Sequence, residues 1–199
     1  MRNVRLILIL LGFFSFVVTA VQAGEKLLAD FVRGRVYFKA VSMFELKPGE
    51  FDLEAEASIL TFFDGQCFLK NNENSQFRMK EDSMIRFLDA DRLEIRKGTV
   101  GVKSLEKEVS VIFGNFELKV KGATVVVKAT PVLTRVCVVN GRALIRRKGS
   151  NEETVILSGK EVAFATGKVS KMYPFTDELR YTWYWVDAVK EPALMPEFR

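Results

Sequence analysis

Histidine is absent from all 199 residues of this chain. Its absence removes imidazole general-base catalysis, Ser-His and Cys-His nucleophile pairs, and every His-ligated metal site. Cysteine is nearly absent: Cys67 and Cys137 are two isolated thiols, too few for a four-ligand zinc site. No G-x-G-x-x-G or Walker A sequence occurs, so the familiar glycine-rich phosphate cradles are missing. Charge of one sign is not gathered anywhere: 30 basic and 25 acidic residues are interspersed. That pattern makes nucleic acid a poor candidate partner. Acidic pairs two residues apart exist at Glu54/Glu56 and Asp89/Asp91. On short β segments such pairs face solvent together, and Asp89-Ala90-Asp91 lacks the further oxygen ligands of a calcium loop. The expectation is a chain with no catalytic residues, no metal site and no cofactor.

What is present begins with a leader. Arg2 and Arg5 precede an almost wholly apolar run from Leu6 to Val21, and Val21-Gln22-Ala23 supplies the small residues a signal peptidase reads. The run is roughly 24 Å long as a helix, short of the ~30 Å hydrocarbon core. Residues 1–23 are therefore expected to be a signal peptide cut after Ala23, with an uncleaved anchor as the alternative. The mature chain would be periplasmic or secreted, with no stable membrane span. Losing Arg2 and Arg5 lowers the formal net charge from +5 to +3. An oxidising compartment permits a disulfide. Pairing Cys67 with Cys137 would close a loop worth about 4 kcal/mol in the chain-entropy account. The competing reading is two free buried thiols acting as small hydrophobes.

The densest β-branched run is Lys121 to Arg147, and it contains Asn140-Gly141, a strong short hairpin signal. Asp64-Gly65 and Gly114-Asn115 are read as two further hairpin turns. A local pattern recurs, in which a glycine feeds alternating apolar residues that end in Lys or Arg. It starts at Gly34, Gly65, Gly98, Gly122 and Gly141, at intervals too uneven for a solenoid. The reading is all-β: many short, mostly antiparallel strands in a sandwich or β-roll over residues 24–173. The tail, 174–199, changes period. Thr176 suits an N-cap, and Leu179, Trp183, Val186 and Val189 share a helical face, so one C-terminal α-helix is expected from about Asp177 to Lys190. It would dock over an open end of the sheets, or present Tyr181, Tyr184 and Trp185 to a partner. Arg142 and Arg146 share strand parity. They form a candidate basic row, either a solvated edge-protecting face or a site for an anionic glycan or lipid head group.

The order of these motifs resembles the FecR domain, an extracytoplasmic all-β module of bacteria. The likeness begins at Val32-Arg33-Gly34-Arg35-Val36 and continues through Leu46-Lys47-Pro48-Gly49-Glu50, Ser58-Ile59-Leu60-Thr61, Asp64-Gly65-Gln66 and Asn74-Ser75. It continues at Leu93 to Val100 and Val136 to Arg142, and closes at Val155 to Glu161. The family's G-T-x-F segment is altered here to Gly122-Ala123-Thr124-Val125. Iron-uptake regulators of that family carry a cytoplasmic anti-sigma segment before the domain, whereas Met1 to Arg5 alone precede the apolar run here. The resemblance therefore implies fold and compartment, and not the regulatory activity. Together with the residues, it leads to an expected non-catalytic binding module of the cell envelope whose partner is an envelope protein or glycan. The alternative is a structural scaffold that assembles through edge-strand pairing.

Overall fold

The computed structural model of the chain describes residues 25–54, 56–165, 168–176 and Trp183. The expected leader lies outside these residues, as does the expected C-terminal helix apart from Trp183. Among the described residues, no helix is long and apolar enough to cross a membrane.

The first half of the chain forms β1 (Lys26–Arg33), β2 (Val36–Lys39), β3 (Met43–Glu45), β4 (Gly49–Asp52), β5 (Ser58–Thr61), β6 (Gln66–Asn71), β7 (Gln76–Met79) and β8 (Met84–Asp89). A long β9 (Arg92–Ser104) follows, then β10 (Val109–Phe113), β11 (Phe116–Val120), β12 (Ala123–Ala129), β13 (Thr134–Asn140) and β14 (Arg142–Arg147). The last strands are β15 (Glu153–Leu157), β16 (Lys160–Ala165), β17 (Lys168–Val169) and β18 (Tyr173–Pro174). The all-β expectation holds.

Strand pairing resolves into two sheets. The first runs β4-β1-β6-β7-β9-β12-β13-β16, with β17 and β18 sharing the far side of β16. The second runs β3-β2-β5-β8-β9-β10-β11-β14-β15. Every ladder is antiparallel except β9–β10. Strand β9 belongs to both: Arg92 to Lys97 pair in the second sheet, and Gly98 to Ser104 in the first. Alternation turns one face of each sheet inward. On β12, Ala123, Val125, Val127 and Ala129 enter the main core, while Val126 packs in a separate cluster on the other face. Three aromatic contacts tie the inner faces together: Phe38–Phe51 at 5.1 Å, Phe77–Phe87 at 5.4 Å and Phe113–Phe164 at 5.3 Å.

Two of the three expected hairpins are something else. Gly114-Asn115 does join a paired hairpin, β10–β11. Asn140-Gly141 instead connects β13 in the first sheet to β14 in the second, and Asp64-Gly65 connects β5 to β6 across the same divide. Each of the five glycines in the recurring pattern lies where the chain passes between sheets. A turn of this kind reverses the chain locally, whereas strand partners are chosen by burial of distant residues. The crossings at Gly34 and Gly65 show why glycine is needed. A Cβ on Gly34, at φ +65°, would lie 1.9 Å from the Asp64 carbonyl oxygen, and one on Gly65 would lie 2.2 Å from that of Arg35. The two turns are pressed backbone against backbone, which no side chain permits.

Candidate functional site

The outer face of the first sheet is built around one row of side chains. Across the strands, Phe68 on β6 faces Arg78 on β7, Arg78 faces Gly101 on β9, and Gly101 faces Val126 on β12. The row continues through Cys137 on β13 and Glu161 on β16 to Tyr173 on β18. Its middle is covered by Trp183. A Cβ on Gly101 would stand 2.7 Å from indole Cε3, so the missing side chain makes the floor of the seat. The Arg78 guanidinium lies 4.0 Å from the Trp183 ring centroid and 5.0 Å from that of Phe68, between the two rings. Each stacked, desolvated cation contributes about 1–2 kcal/mol. Arg78 Nη1 also donates to the Trp183 carbonyl. Val126 and Cys137 are wholly buried beneath the indole, with Val139 and Phe175 beside it. Trp183 therefore rests on the broad face of the sheet, in the middle of the row, and not over the open end expected for the tail.

A second anchor lies further along the row. Glu161 is fully buried. Arg135 grips its carboxylate through two nitrogens, and the Tyr173 hydroxyl donates to it at 3.0 Å. Arg135 Nη2 also donates to Thr176 Oγ1 at 2.8 Å. A buried carboxylate of this kind is tolerated only because all its partners are in place. Burial, followed by the hydrogen bond and negative charge of Glu161, raises the Tyr173 hydroxyl above its ordinary value. The chain leaving β16 is thus tied down at Tyr173 and Thr176 before Trp183 reaches its seat.

The cysteines do not meet. Cys67 faces the main core, Cys137 faces outward beneath Trp183, and both are free thiols. Strands β7, β9 and β12 lie between them in the sheet. At ~4.8 Å per strand that is about 19 Å, far beyond the ~7 Å between Cα atoms that a bridge spans. Of the two readings, that of free buried thiols holds and the disulfide does not, because the strand order sets the two residues far apart and on opposite faces. Burial raises both thiols, that of Cys137 up to about 12 with a contribution from Glu161. Neither is a thiolate nucleophile at neutral pH.

The outer face of the second sheet is different in kind. Arg142 and Arg146 do project from the same face of β14, but Arg146 is clamped onto Glu117 through Nε at 2.8 Å and Nη2 at 2.6 Å. The expected basic row is thus half neutralised. A hydrogen bond from the Ser110 hydroxyl, then Arg146, holds the Glu117 carboxyl below its ordinary value. Around it run further pairs: Arg96–Glu94 at 2.7 Å, Lys119–Glu153 at 3.2 Å and Arg86–Glu94 at 3.8 Å. Three of the four acids singled out in the sequence have side-chain partners here. Glu56 pairs with Arg86, Asp91 pairs with Lys107, and Asp89 accepts the Asp91 amide at 3.0 Å. Among the described residues, no cluster of acids and thiols could hold a metal ion. Tyr181, Tyr184 and Trp185, the expected aromatic surface, lie outside the described residues.

Sequence reasoning missed Arg78, Gly101, Arg135 and Glu161. One signal was available: Arg78 lies between Phe77 and Met79, and Glu161 before Val162, so parity turns both charges away from the core. What covers them comes from elsewhere in the chain, Trp183 lying 105 positions beyond Arg78.

No protein-family model matches the chain, and no curated protein matches it. Its fold is similar to a solved structure of a candidate anti-sigma factor from Parabacteroides distasonis, with a TM-score of 0.55 and 14% identity. That match covers 65% of this chain and 64% of the other, less than two thirds of the neighbour's length. A second crystal structure of a candidate anti-sigma factor from the same organism gives a TM-score of 0.54, again at 14% identity, and covers 63% of that chain. The likeness is one of fold.

Proposed function

We propose that this protein is a non-catalytic, extracytoplasmic interaction module of the bacterial cell envelope, serving in signalling. Its working surface is the outer face of the first sheet. The observation that carries this reading is the seat at Gly101. A glycine floor, a stacked guanidinium and a donor to a backbone carbonyl together bind an aromatic residue and its main chain, and Trp183 fills the seat from within. Rigid aromatic and arginine anchors of this type dominate protein–protein recognition. The fold likeness to candidate anti-sigma factors supports a signalling role, while the resemblance to the FecR domain and the leader sequence support an extracytoplasmic location. The partner is an envelope protein that packs beside Trp183.

Photo-crosslinking tests the proposal. A crosslinker at Lys103, on the outer face of β9 two residues from Gly101, is expected to capture a discrete envelope protein, while one at Lys119 on the opposite outer face is not. Adducts from Lys119 alone, or from neither position, would overturn it. A second reading has its own observation. Strand β15 is a sheet edge with Val155 and Leu157 exposed at 42% and 54%, the form of edge that recruits another strand. Scaffold assembly through β15 predicts concentration-dependent oligomers in sedimentation, abolished by Val155→Lys.

A further inference from the structure

Beside β14 and β16 the described residues leave a space between the two sheets. A cavity of about 390 Å3 opens there between β14 and β16, within the size range of small-molecule sites. Its floor is apolar, made by Phe116, Ile145, Val162 and Phe164, and Met172 forms a lip. Phe116 and Phe164 stand with ring centroids 4.7 Å apart and form the wall against a neighbouring cavity of about 370 Å3. The rim is polar and asymmetric. Arg147 ends β14 with the same parity as Ala143 and Ile145, and it lies opposite Phe116 in the ladder. Its guanidinium is thus carried at the mouth of the gap. Among the described residues Arg147 makes no ion pair, unlike Arg146, which Glu117 neutralises. Thr154 lines the cavity from β15, and Glu152 is the acid at the rim.

We propose that this cavity binds a single-chain amphipathic carboxylate, a medium-chain fatty acid, with the acyl chain against Phe116, Ile145 and Phe164 and the carboxylate on Arg147. An apolar floor removes hydrocarbon from water at about 25 cal/mol per Å2. The Arg147 guanidinium offers a planar fork for one carboxylate, and Glu152 opposes a second negative charge. This site is separate from the Trp183 seat on the outer face, and its fate does not depend on that reading.

Calorimetric titration of the full mature protein with decanoate and with decanol, both below their aggregation limits, tests the assignment. Decanoate is expected to bind saturably at one site. Arg147→Glu should weaken decanoate about ten-fold or more and leave decanol little changed, as loss of one charge-assisted contact requires. Met172→Trp should weaken both by narrowing the mouth. Both substitutions are at partly or fully exposed positions, so an unchanged circular dichroism spectrum and melting temperature shows that the fold is intact. Absence of saturable decanoate binding overturns the proposal, as does binding indifferent to Arg147→Glu. Dioctanoyl phosphatidate binding more tightly than decanoate would also overturn it, because the site would then belong to a two-chain lipid.

Discussion

The two outer faces of this sandwich carry similar residues and use them in opposite ways. On the first sheet the pair Arg135–Glu161 is largely withdrawn from water, the Glu161 side chain having no exposure at all, and Trp183 covers Cys137, the ladder neighbour of Glu161. On the second sheet the pair Arg146–Glu117 has the same chemistry, but Arg146 remains 40% exposed among a ladder of other ion pairs. The first face is covered by its own chain at Trp183, and the second is a solvated wall. Charge alone does not make that difference. It arises from whether another segment excludes water, because an ion pair in water gains little and an incomplete buried pair costs much.

Deleting the carboxylates should separate the faces most strongly. Glu161→Ala strands the Arg135 guanidinium and the Tyr173 hydroxyl, and is expected to cost about 3–5 kcal/mol in urea unfolding. Glu117→Ala is expected to cost about 1 kcal/mol, since water re-solvates much of Arg146. Equal losses would end the contrast. The next largest effect concerns the cover. Trp183→Ala should open Cys137 to thiol labelling in the native protein while Cys67 stays protected in the core, so one thiol is modified where the parent shows none. Gly101→Val should do the same, because its side chain meets the indole. Labelling of both thiols would mean global unfolding and not an uncovered face.

The pH response should divide the faces more finely. Glu117 has its folded pKa lowered, so its contribution is complete above the ordinary carboxylate value and is lost as pH falls through the lowered one. Tyr173 has its folded pKa raised above 10.0. The folded state then holds its proton when the unfolded state has released it, and stability falls as pH rises past that value. Glu117→Gln should flatten the acid limb of the stability curve, and Tyr173→Phe the alkaline limb. The opposite pairing of mutant and limb would contradict the assignments. Smallest of all, Arg142→Ala on the open wall should change the unfolding free energy by less than about 0.5 kcal/mol, and a larger change would mark a contact on that face beyond those described.

Much of the fold was legible because β alternation and glycine turns are local. Val125 and Val127 announce an inward face, and Gly114-Asn115 announces a hairpin that is there. Asn140-Gly141 announces the same hairpin and instead hands the chain from one sheet to the other. The turn's backbone needs are identical in both settings, and the partner strands are not encoded in it. The site was less legible. Parity placed Arg78 and Glu161 outward, where outward charges ordinarily meet water. By compartment and count Cys67 and Cys137 could be partners or two free buried thiols, and the strand order, with three strands between them and opposite faces, leaves them free.

The sequence by itself determined that this chain is β-built, which positions must turn, and which side of each strand is apolar, since those follow from backbone sterics and period-two alternation within a few residues. The tertiary structure alone decided which turns cross between sheets, which thiols could meet, and which outward charges would be buried. Those outcomes depend on residues far apart in the chain competing to exclude water from the same surface, and the seat of Trp183 on Gly101 is where that competition was settled.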